Sequence, residues 1–94
     1  MNILISGTAG FIGFYLVKRL LNDNHTIYGI DSVNNYYDTT LKEERLRACG
    51  IENYEYGKEI KSEIDSRYTF CQMDLCDTEK LTKLFATHRF DCVV

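Results

Sequence analysis

The chain has 94 residues, a formal net charge of −3 and 45% hydrophobic residues, which bounds it at one globular unit. The acidic balance and the lack of a Lys/Arg run give no basis for nucleic-acid binding, and no apolar stretch is long enough to cross a membrane. Two histidines and four cysteines (Cys49, Cys71, Cys76 and Cys92), with no Cys-x-x-Cys pair, argue against a zinc site and for reduced thiols.

The chain opens with Ile3, Leu4 and Ile5, a continuous apolar run of the kind a parallel strand shows when both its faces are covered. Gly7-Thr-Ala-Gly10-Phe-Ile-Gly13 follows, and then an amphipathic helix to Leu21. Ile12, Leu16 and Leu20 are expected along one apolar row of that helix, with Val17 and Leu21 beside it. The three glycines have separate expected tasks. Gly7 permits the tight turn, Gly10 lets a ligand approach the backbone, and Gly13 lets the helix sit closely on the strand. Such a turn delivers a helix N-terminus, with free N–H groups and partial positive charge, to a point that suits a pyrophosphate. A P-loop is excluded because Gly13 is followed by Phe14 and Tyr15 rather than Lys-Ser/Thr.

A second strand, Thr26 to Ile30, ends at Asp31, at about the distance of ~20 residues at which a dinucleotide fold places its ribose-binding acid. A carboxylate there accepts the adenosine ribose hydroxyls and repels a 2′-phosphate, favouring NAD over NADP. Gly29 is expected to mark close approach of a neighbouring backbone or of the adenosine. Ser32 to Thr39 reads as a polar, aromatic loop, and Thr40-x-x-Glu43 as a capping box opening a helix to about Cys49, with Gly50 as its cap. Residues 51–67 carry dense charge of mixed sign and are expected to form an exposed insertion, with Ile60 and Ile64 on at most one helical turn. A strand over Tyr68 to Met73 follows. Asp77 or Thr78 then caps a helix whose buried stripe is Leu81, Leu84, Phe85 and His88, and Phe90 to Val94 is a last strand. Cys71 and Cys92 fall in strands, where Cys acts as a small hydrophobe. The strand–helix alternation specifies an α/β chain: a Rossmann-type parallel sheet with helices on both faces, cut short after about four strands.

Ser6-Gly-Thr-Ala-Gly-Phe-Ile-Gly13 resembles the opening motif of the extended short-chain dehydrogenase/reductase family, Thr-Gly-x-x-Gly-Phe-Ile-Gly, with Ser6 in place of the Thr. Within it, Gly29 to Asp38, Leu41-Lys42 and Arg45-Leu46 look most like the UDP-glucuronate 4-epimerases. The resemblance covers nearly the whole chain and is weakest over residues 51–67. It implies that Phe11 and Ile12 give backbone N–H groups to the pyrophosphate and that Asp74 and Leu75 meet the adenine. Ser32 and Asn35 are candidates for the adenosine ribose. It also implies an NAD cofactor, a UDP-sugar partner, a homodimer, and an enzyme of polysaccharide biosynthesis that removes hydride from C4 of the sugar and returns it to the other face. Alternatives sharing this half are a 4,6-dehydratase or reductase, or a non-catalytic dinucleotide-sensing module.

Tyr54-x-x-x-Lys58 has the spacing of that family's catalytic pair, but it lies before the third expected strand, with Gly57 inside it, and is read as coincidence. His25 and His88 read as surface or helix-end residues. The expectation is therefore the N-terminal part of an NAD-binding domain, residues 1–94, lacking the catalytic and substrate parts and inactive alone. No basic segment or cleavage site precedes the first strand, so a cytoplasmic protein is expected.

Overall fold

A computed structural model describes residues 1–33 and 39–94. The elements follow in the order β1 (Asn2–Ser6), α1 (Phe11–Asn22), β2 (Thr26–Asp31), α2 (Thr39–Ala48), β3 (Glu59–Lys61), β4 (Tyr68–Gln72), α3 (Thr78–Thr87) and β5 (Cys92–Val93). They build one sheet in the order β3-β4-β2-β1-β5. β1, β2, β4 and β5 are parallel, and β3 runs antiparallel on β4.

Strand alternation sorts the apolar side chains into two layers. Ile3, Ile5, Ile27, Tyr68 and Phe70 join Val17 of α1 and Leu46 of α2 on one face. Leu4, Tyr28, Ile30, Cys71 and Met73 join Leu84 of α3 on the other. Both faces are thus covered by helices, which is why the strands read as apolar runs rather than as alternation. Phe70, Ile5 and Ile27 are nearly inaccessible, each contributing about 1.5–3 kcal/mol of burial.

β1 lies between β2 and β5, so the strand order reverses beside it. That reversal opens a crevice at the carboxyl ends of the strands, the place where open α/β sheets bind ligands.

Several expectations are corrected. On α1 the face against the sheet is Gly13 and Val17, with Phe14, Leu16, Leu20 and Leu21 half-buried, while Ile12 is 79% exposed. On α3, Leu84 is buried, but Phe85 points outward and packs edge-on against Phe90, and His88 lies past the helix end, half-buried rather than in a buried stripe. α2 begins at Thr39, so Thr40 lies inside the helix rather than capping it. The cap at its other end is as expected: Gly50 has φ +82°, its N–H donates to the Arg47 carbonyl, and that of Ile51 to Leu46. Asp77 caps α3 by accepting from the Lys80 N–H. Cys92 is in a strand but exposed, whereas Cys71 is buried.

Residues 51–67 are more than an exposed insertion. Several of their charged side chains reach other elements, Glu59 to Tyr28 and His88 and Glu52 to Arg47, while Ile51 is 1% exposed and Tyr54 packs edge-on against Phe70. Ile60 lies in β3, not on a helical turn. The charge pattern missed this because a few anchors suffice to tie a polar segment to a sheet edge.

Candidate dinucleotide site

The turn after β1 is built mainly from backbone. Gly7 has φ +75°, a conformation open to glycine at no steric cost. Its N–H donates to the Ile30 carbonyl at 2.8 Å, and the Gly10 N–H donates back to Gly7 at 3.0 Å. A Cβ on Gly13 would collide with the Gly7 carbonyl, so α1 can start here only if residue 13 has no side chain. A Cβ on Gly10 would lie 3.2 Å from the Gly7 oxygen, so that position is already tight within the turn itself.

Gly10 is the N-cap of α1, without a side-chain capping bond, and no acid sits in the first helical turn. The first intrahelical bond is from the Phe14 N–H to the Gly10 carbonyl, 2.9 Å. Helix geometry therefore leaves the N–H groups of Phe11, Ile12 and Gly13 without an intrahelical acceptor. Phe11 and Ile12 expose their side chains, which suits residues that contribute main chain.

Asp31 ends β2 with its side chain only 4% exposed. Its Oδ2 accepts the Ala9 N–H at 2.9 Å and its Oδ1 the Val33 N–H at 2.7 Å, while Lys42 Nζ stands 3.4 Å from Oδ1. The expected ribose acceptor is thus also the strap between β2 and the glycine turn. Each carboxylate oxygen has two lone pairs, so acceptor capacity remains on Oδ2. Lys42 offsets the carboxylate charge, and its ammonium is a donor on the same cavity wall.

Two adjoining cavities share Ser6 and Gly7. One, of about 430 Å³, is lined by Gly7, Gly10, Phe11, Ile12, Gly13 and Val94 among others, beside the strand reversal. The second, of about 250 Å³, is lined by Gly7, Asp31, Ser32, Lys42, Asp74 and Leu75 among others. Nine of the ten candidate residues border one or the other; Asn35 lies outside the described residues. An elongated molecule with phosphates in the first cavity and a nucleoside in the second would fit the order of donors and acceptors: free helix amides, then a carboxylate.

Asp74 is exposed, and its Oδ1 accepts the Cys76 N–H at 2.8 Å, the bond of an ordinary Asx turn. Its own N–H donates to the Tyr56 hydroxyl at 3.1 Å, and that hydroxyl donates to Asp77 Oδ2 at 3.1 Å. Tyr56, from the charged segment, thereby holds the loop that carries Asp74 and Leu75. Lys42 and Tyr56 were not among the expected residues. Lys42 had a signal, since it falls on the helix after the acid-bearing strand. Tyr56 had none, because only tertiary pairing brings it to β4.

Gly29 approaches neither a neighbouring backbone nor the cavity: a Cβ there would meet the side chains of Thr8 and Tyr68. Tyr54 packs on Phe70, and Lys58 pairs with Glu55 at the surface, 3.3 Å. Burial holds the Tyr54 hydroxyl above its ordinary pKa, the reverse of what a catalytic tyrosine activated by lysine needs. His88 is the C-cap of α3 and contacts Glu59 at 2.9 Å, so it is a helix-end residue as expected.

Comparison with known proteins agrees with this geometry. Residues 3–94 match the model of the NAD dependent epimerase/dehydratase family. Protein CapI of Staphylococcus aureus is 52% identical over 58 residues, covering 62% of this chain and 17% of that protein. A dTDP-glucose 4,6-dehydratase of Escherichia coli is 31% identical over 94 residues, all of this chain and 22% of the relative. The crystal structure of UDP-glucuronic acid 4-epimerase from Bacillus cereus, in complex with UDP-glucuronic acid and NAD, superposes with a TM-score of 0.73 at 32% identity. It takes in 100% of this chain and 25% of that one. The chain thus spans about a quarter or less of the length of these relatives. With its glycine turn, acid-ended second strand and mostly parallel sheet, the chain belongs to the NAD dependent epimerase/dehydratase family.

Proposed function

We propose that these residues form the NAD-binding part of a nucleotide-sugar 4-epimerase that interconverts UDP-glucuronate and UDP-galacturonate. The observation that carries the binding reading is the pair of cavities meeting at Gly7, one under free helix amides and the other facing Asp31. In it, the amides of Phe11, Ile12 and Gly13 hold the pyrophosphate, Asp31 with Lys42 and Ser32 holds the adenosine ribose, and Asp74 and Leu75 face the adenine. When bound, NAD supplies a hydride acceptor and donor for C4 of the sugar. The sugar assignment is supported by the likeness to the Bacillus cereus enzyme over the whole chain. The likeness to the dehydratase supports a second reading, a 4,6-dehydratase using the same nucleotide half. Catalysis belongs to the whole protein, and these 94 residues alone are expected to show no turnover. The reading carries with it a homodimer, a cytoplasmic location and a role in polysaccharide synthesis; light scattering that finds the intact protein monomeric would remove the first.

The test is titration of the intact protein and its Asp31→Ala variant with NAD and NADP, followed by turnover assays. The variant should lose about 1.5–3 kcal/mol of NAD affinity, one charge-assisted bond, and discriminate less against NADP. The shift in preference should be moderate, because Lys42 already offsets the carboxylate charge. Unchanged NAD affinity would refute the site. Turnover of dTDP-glucose but not UDP-glucuronate would select the dehydratase, and NAD binding without turnover of either sugar would select a sensing module.

A further inference from the structure

We infer that Arg45 is a positioning residue for the dinucleotide turn, acting through the Ala9–Gly10 peptide; the inference rests on the NAD-site reading above. Ala9 is fully buried, 0% exposed, and its two main-chain polar groups are held from opposite sides by charged side chains. Its N–H donates to Asp31 Oδ2 at 2.9 Å, and its carbonyl accepts from Arg45 Nη1 at 3.2 Å. The peptide unit is planar, so holding the Ala9 oxygen also sets the direction of the Gly10 N–H. Gly10 is the N-cap of α1, and the free amides of Phe11, Ile12 and Gly13 follow directly. The Gly10 N–H donates to the Gly7 carbonyl at 3.0 Å, so Arg45 and Gly7 fix this plane from its two ends, directly ahead of the amide cradle.

α2 is placed to do this. Lys42 and Arg45 are three residues apart and therefore share a helix face. One meets the Asp31 carboxylate and the other the Ala9 carbonyl, so α2 grips both partners of the strap. Among the described α2 residues, Leu46 is the buried one. The planar, permanently charged guanidinium suits a fixed acceptor better than a flexible ammonium. Without it, a desolvated carbonyl loses a charged donor and has reason to turn away.

The experiment compares the intact protein with Arg45→Met, which keeps the length and apolar stem, and Arg45→Lys, which keeps a charged donor. Dissociation constants are measured for ADP, which carries the pyrophosphate, and for adenosine, which does not. Arg45→Met should weaken ADP by about tenfold while adenosine changes by less than about twofold, and Arg45→Lys should recover part of the loss. Hydrogen exchange at the Gly10 amide, read without ligand, should speed up in Arg45→Met alone. Unchanged ADP affinity, or equal losses for ADP and adenosine with a lowered Tm, would overturn the positioning role. Failure of the unsubstituted protein to bind ADP or NAD at all would instead bring down the site reading, and the inference with it.

Discussion

The glycine turn and residues 51–67 flank the same sheet but are held in different proportions by main chain and side chains. The turn's own shape is set by main chain: Gly7 to Ile30, Gly10 to Gly7, and a Gly13 whose missing side chain lets α1 touch the Gly7 carbonyl, with Asp31 and Arg45 strapping it at Ala9. The charged segment adds side-chain bonds to a main-chain ladder: β3 pairs with β4, and the N–H groups of Gly57 and Ser62 donate to the Gln72 and Tyr68 carbonyls at 2.8 and 2.9 Å. Ser62 Oγ donates to the Cys49 carbonyl at 2.6 Å and accepts the N–H groups of Ile64 and Asp65 at 3.2 Å each. Arg67 bonds Asp65 through its own main chain and guanidinium and reaches Asn24 at 3.0 Å. Where backbone geometry does the holding, residue type is dictated by steric exclusion and is legible. Where side chains do it, many residue types would serve, and the pattern looks like solvated surface.

The sharpest way to break this contrast is at Gly13. Gly13→Ala puts a Cβ into the Gly7 carbonyl, so the intact protein should lose about 3 kcal/mol of stability on denaturant unfolding. A loss below about 1 kcal/mol would mean the helix can shift away, and the turn is not held as described. Ser62→Ala comes next. It removes a buried hydroxyl with three bonds and should cost about 1–2 kcal/mol while leaving nucleotide affinity unchanged. A matching fall in NAD affinity would show the two regions to be coupled rather than separately held.

The smallest effect is expected at the clasp between β3 and α3. Burial would raise the Glu59 pKa, but hydrogen bonds from His88 and Tyr28 outweigh it and hold the carboxyl below its ordinary range. A carboxylate depressed on folding stabilises the protein above its unfolded pKa, and that contribution is lost as pH falls through the folded value. Glu59→Gln should therefore lower stability at pH 7 and flatten the acid loss between about pH 5 and 3. Glu59 is 50% exposed, so solvent screening limits the difference to under about 1 kcal/mol. Parallel pH–stability curves for the two proteins would remove Glu59 from the account of how β3 is held.

Some of this protein was settled by local chemistry alone. A side chain at Gly13 collides, a non-glycine at Gly7 or Gly50 would be strained at positive φ, and a strand with both faces covered must be apolar, so turn, cap and β1 could be read from residue types. The place of Asp31 at the end of β2 was legible from its spacing after the glycines. Its bonds to the Ala9 and Val33 amides were not, because backbone donors carry no residue signature. Ile12 looked like core by periodicity, but the face of α1 was decided by how closely Gly13 lets the helix approach the sheet. Tyr56 beside Asp74, Arg45 on Ala9, and β3 on β4 join residues far apart in the chain. Those partners are brought together only when the sheet forms, so no local pattern could specify them.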